Sequence, residues 1–63
     1  MFKLIEEGTN KQLDYKLNIG PSTVPQKGDE LLFVDGRFGV THRCLIFDGA
    51  GVVTKILLYV TKL

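Results

Sequence analysis

Leu13, Tyr15, Leu17 and Ile19 alternate with Asp14, Lys16 and Asn18. Four apolar positions at a period of two describe a strand with one buried face, and the pattern predicts it over 11–19. Phe2 and Leu4, on either side of Lys3, predict a first strand over 2–7. Gly8-Thr9-Asn10 between the two reads as a hairpin loop. From Gly20 to Gly28 two prolines interrupt the chain, which predicts an irregular loop, with Val24 placed to plug one end of the core. Glu30 to Val34 is a short strand. Asp35-Gly36 then predicts a two-residue type I′ hairpin, because that turn needs positive φ at both positions. The return strand covers 37–47. Gly39 within it predicts a bulge or a close backbone approach. Asp48-Gly49-Ala50-Gly51 turns the chain into a last strand over 52–62. No segment shows an apolar period of 3.6.

Five short strands with mostly short connections predict an antiparallel meander, bent enough to close into a small barrel. The expected inward set is Phe2, Leu4, Leu13, Tyr15, Leu17, Leu31, Phe33, Phe38, Val40, Ile56, Leu58 and Val60. The close Asp35-Gly36 turn leaves no room for the helix that an OB-fold carries between its third and fourth strands.

Composition agrees with strands. Isoleucine, valine, threonine, phenylalanine and tyrosine make up twenty-one of 63 residues, and there is a single alanine. A core this small supplies only a few kcal/mol. One cysteine, Cys44, excludes an internal disulfide, and one histidine, His42, excludes the usual Cys/His zinc cluster within one chain. We therefore expect no metal and no cofactor. A net charge of +1 argues against a strongly electrostatic nucleic-acid or membrane binder. The longest apolar run, Ile56 to Val60, is far too short to span a membrane. The opening segment lacks a signal-peptide core. With a lone cysteine, these features lead us to expect a cytoplasmic protein, and the opening Met1 a complete small gene product.

The stretch from Val24 to Val40, VPQKGDELLFVDGRFGV, resembles a pattern of small SH3-like barrels, many of them encoded by bacteriophages and other mobile elements. Its elements are Pro25, Gly28-Asp29, a short apolar strand, a glycine turn and Phe38-Gly39-Val40. The resemblance implies a five-stranded antiparallel SH3-like barrel in meander order. It also implies a small protein that binds and modulates a host protein. It carries no catalytic residues.

Catalytic arrangements are sparse. Ser22 lies in a proline-flanked loop. His42 and Cys44 share a strand face, with no third group evident to orient the histidine. Glu6 and Glu7 are adjacent and face opposite sides. Gly49-Ala50-Gly51 lacks the third glycine and the helix of a dinucleotide site. We expect no enzymatic activity.

Two binding classes remain. Small barrels bind single-stranded nucleic acid with aromatic and basic groups on one face. The candidates are Arg37, His42, Arg43, Lys55 and Tyr59. Arg37 and Arg43 share a face unless a bulge intervenes. Protein association has more behind it. The last strand is apolar on both faces, as are residues 44–47, and a barrel has one interior. The surplus Leu32, Val34, Leu45, Phe47, Leu57 and Tyr59 predict an exposed interaction patch. We expect a homo-oligomer, first of all a dimer, with a further protein partner possible in the same role.

Overall fold

The computed structural model describes residues 2–17 and 24–63. Five strands form one sheet: β1 (Phe2–Glu6), β2 (Lys11–Leu13), β3 (Glu30–Phe33), β4 (Gly36–Phe47) and β5 (Val53–Lys62). The all-β expectation holds, and no helix is present among the described residues. None is therefore long and apolar enough to cross a membrane. Four of the five strands end within one residue of their expected bounds.

The antiparallel meander barrel is corrected. The strand order is β2-β1-β5-β4-β3, so β2 and β3 lie at opposite edges and the sheet is not closed. It is also mixed: β1 pairs in parallel with β5, with Leu4 opposite Leu58, while the other pairs are antiparallel. The physical reason is the segment after β2. Instead of turning back alongside β2, residues 14–17 leave that edge, and Tyr15 packs against Phe33 of β3, the strand at the far edge. Parallel pairing needs a long connection, and everything between β1 and β5 supplies one.

The second strand is shorter than the expected 11–19. It ends at Leu13, while Asp14 to Leu17 continues the alternation of exposed and half-buried residues without pairing. Asn18, Ile19 and the candidate Ser22 lie outside the described residues. Tyr15 stacks on Phe33 with ring centroids 4.1 Å apart and meets Phe38 edge-on at 5.6 Å. The period of two recorded burial against the sheet face rather than a hydrogen-bonded ladder. Such aromatic pairs contribute about 0.5–1.5 kcal/mol each beyond their area.

A hydrogen bond to Asp35 raises the Tyr15 pKa above the ordinary 10.0, with burial and the Asp35 charge acting in the same direction. The folded state thus holds this proton more tightly than the unfolded chain. The associated stability is complete below the unfolded pKa and is lost as pH rises through the higher folded one. Urea denaturation at about pH 9 and about pH 11 should show wild type losing more stability than Tyr15→Phe, which keeps the ring and lacks the ionisable hydroxyl. Equal losses would show that Tyr15 ionisation is not linked to folding.

Leu4, Phe38, Val40 and Val60 form the buried cluster, with Leu13, Tyr15, Leu17, Leu31 and Phe33 packed against it. Leu58 is also fully buried. Every residue of the expected inward set is buried or half-buried, Phe2 and Ile56 included. Val24 is half-buried and Pro25 buried where the chain returns to the sheet.

The β3–β4 hairpin forms with a different turn from the one expected. Phe33 faces Gly36 across Val34-Asp35, and neither Asp35 nor Gly36 has positive φ. Gly36 serves a close approach instead. A Cβ there would sit 2.9 Å from Phe38 Cε2 and 3.0 Å from the Tyr15 hydroxyl. The β1–β2 loop does use the left-handed region, with Gly8 at φ 97° and Asn10 at φ 56°.

Candidate interaction surface

One extra residue in β4 sorts the candidate side chains. Val40 faces Val60, and His42 faces Tyr59, so Thr41 is bulged out of register. Before the bulge, Phe38 and Val40 point to the core. After it, Arg43 and Leu45 lie opposite Leu58 and Ile56 and take the core side. His42 and Cys44, opposite Tyr59 and Leu57, take the outer side. Gly39, where the sequence pointed to a bulge or close approach, is two residues away. Its position is covered by Leu63, whose Cδ2 would lie 3.5 Å from an added Cβ.

The five nucleic-acid candidates are consequently dispersed. His42 stacks on Tyr59 with centroids 4.2 Å apart, and Lys55 shares their face. Arg43 is on the opposite face. Arg37 shares the outer face but lies near the other end of β4, where its guanidinium forms a bidentate pair with Glu30 at 3.1 Å. That pair lowers the Glu30 pKa and raises that of Arg37.

Sequence reasoning missed the company around His42. Its Nδ1 lies 3.8 Å from Glu7 Oε2. The Thr41 hydroxyl lies between the Glu7 carboxylate and the Tyr59 carbonyl oxygen, and its one proton serves one acceptor at a time. Glu6 turns elsewhere and accepts a 2.8 Å hydrogen bond from Thr9. Thr41 and Glu7 are thirty-four positions apart in sequence, and no local pattern announces such a contact. No group of three or more His, Cys, Asp or Glu among the described residues could hold a metal ion.

The apolar candidates fall into three places. Leu32 and Val34 are exposed at the β3 edge and its turn, at 79% and 110% relative accessibility. Leu57 and Tyr59 are half-buried in the middle of the outer face. Leu45 and Phe47 belong to an arm. β1 reaches β5 only from Ile56 to Val60, and β3 covers β4 only from Gly36 to Gly39. Beyond those limits β4 and β5 continue as a two-stranded ribbon, which accounts for the 38 × 25 × 20 Å extents. Leu45, Ile46, Phe47, Val52 and Val53 are all exposed on it. Its end is well built. Asp48 Oδ1 accepts from Ala50 N–H at 2.8 Å and Val52 N–H at 3.1 Å, and Asp48 N–H donates to the Val52 carbonyl at 2.9 Å. These bonds fix a turn that carries five large apolar side chains into solvent.

No family model, curated protein or solved structure matches this chain.

Proposed function

We propose that this is a non-enzymatic binding module that self-associates, and that the β4–β5 arm is its contact element. One observation carries the reading: Leu45, Ile46, Phe47, Val52 and Val53 are exposed together on a ribbon projecting from the sheet. Apolar side chains gathered on a projecting, ordered element mark an interaction site. Each is roughly half exposed. Completing its burial contributes about half of the ~1.5–3 kcal/mol of a whole side chain. Two subunits then gain at most roughly 8–15 kcal/mol, comparable to an association cost of ~4–15 kcal/mol. The same surface suits a protein partner. The resemblance of residues 24–40 to proteins of mobile elements favours a host protein in that role, met in the cytoplasm. Single-stranded nucleic acid is the weaker reading, because the Thr41 bulge turns Arg43 away from Lys55, His42 and Tyr59.

Analytical ultracentrifugation at tens of micromolar tests the reading. Wild type should sediment as a dimer, with thermal stability rising with concentration. Phe47→Lys combined with Val53→Lys should sediment as a monomer. A single 7.0 kDa wild-type species would overturn self-association.

A further inference from the structure

We propose that the partner is a second copy of this chain, joined through the open edge of β4 about a two-fold axis at Leu45. The proposal rests on the self-association reading and adds its geometry.

The edge follows from the hydrogen bonding. Val60 accepts from Glu7 N–H at 2.8 Å, so it turns its backbone groups toward β1. Alternate residues of a strand turn the same way, so Leu58 and Ile56 do likewise. Arg43 and Leu45 face them in non-hydrogen-bonded pairs of the ladder, and so direct their own N–H and C=O away from β5. Phe47 does the same, because the next residue, Asp48, donates to the carbonyl of Val52, just before β5. β3 ends its pairing at Gly39, and the backbone leading into it reaches only as far as Val40. From Arg43 to Phe47, no other strand among the described residues takes up these groups. A long apolar edge of this kind is a template for another strand.

The edge sequence is complementary to itself. Antiparallel pairing centred on Leu45 sets Leu45 against its copy and Arg43 against Phe47 of the second copy. All of these residues direct their backbone groups to the edge, so the pairing closes a continuous ladder. On the other face the same register sets Cys44 against Ile46 and His42 against Asp48. Apolar residues meet apolar ones, the guanidinium meets an aromatic ring, and the imidazole meets a carboxylate. Centring on Cys44 instead would set Arg43 against Leu45 and His42 against Ile46, leaving Asp48 without a basic partner.

Two variants test the register. Cys44 and Ile46 direct their backbone groups to β5, so across the new seam they form a close, non-hydrogen-bonded pair suited to a disulfide. Ile46→Cys should therefore oxidise to a covalent dimer at least tenfold faster than wild type, whose only thiol is offset from its copy. Adding Cys44→Ser should abolish that cross-link. Leu45→Pro removes an edge-directed N–H and leaves the β4–β5 ladder intact. It should raise the dimer dissociation constant at least tenfold while the circular dichroism spectrum is unchanged. A wild-type dimer in which Ile46→Cys cross-links no faster than wild type overturns the edge register and leaves self-association standing. A monomeric wild type overturns both.

Discussion

Leu58→Ala is expected to cost this protein a large share of its stability. Leu58 is 0% exposed, lies in the central strand, and stands opposite Leu4 on one side and Arg43 on the other. Truncating a buried leucine costs ~2–5 kcal/mol, the transfer free energy of the lost atoms plus the cavity they leave. A chain of 63 residues at ~0.05–0.15 kcal/mol per residue has about 3–9 kcal/mol in all. The loss is thus a large share of the total. Leu57→Ala, one residue along on the half-buried outer face, removes the same atoms from a site that water already reaches. Urea denaturation followed by circular dichroism should separate the two by at least about 1 kcal/mol. Equal midpoints would mean the central strand has been assigned the wrong buried face.

Gly36→Ala should be the most damaging glycine substitution that leaves backbone conformation untouched. The added methyl would lie 2.9 Å from Phe38 Cε2, closer than real contacts of this kind. Phe38 is itself buried, and its ring is held by Tyr15 and Phe33, so it has little room to yield. Overpacking of this sort costs typically ~1–3 kcal/mol. Gly49→Ala provides the control. Its Cβ meets nothing within 4 Å, and its φ lies outside the left-handed region. Thermal melting should show a clear drop for Gly36→Ala and little change for Gly49→Ala. A neutral Gly36→Ala would mean that Tyr15 does not pack where residues 14–17 cross the sheet.

The strands were legible because alternation reports which face of a residue is buried. It does not report which strand lies alongside. Leu13, Tyr15 and Leu17 carry one unbroken pattern, yet only Leu13 is in a ladder, and Tyr15 owes its burial to Phe33 and Phe38. For the same reason nothing in Phe2–Glu6 distinguished a parallel neighbour from an antiparallel one. Gly36 was visible as a special position but for the wrong cause: proximity to Phe38 rather than positive φ. The bulge was hardest to see. Thr41 has no conformational signature, and the nearest glycine, Gly39, answers to Leu63. One inserted residue then reversed the facing of all that follows, which separated Arg43 from Lys55 and set His42 on Tyr59. The apolar excess at 44–47 and 52–53 was legible as composition. Its gathering onto a projecting arm depended on how short β1 and β3 are.

The parallel pairing of β1 with β5 also sets the order in which the molecule can assemble. Leu4 and Leu58 stand side by side but are fifty-four positions apart along the chain. Closing a loop of that length costs about 3.5 kcal/mol of chain entropy beyond a constant, on the logarithmic scaling. The β4–β5 ribbon requires only the short turn at Asp48 and can form within microseconds. Folding should therefore begin from this ribbon, with its apolar edge bare, and finish when the N-terminal strand docks onto it. During that interval the ribbon can find another molecule before it finds its own β1. The rate of productive folding should then fall as protein concentration rises.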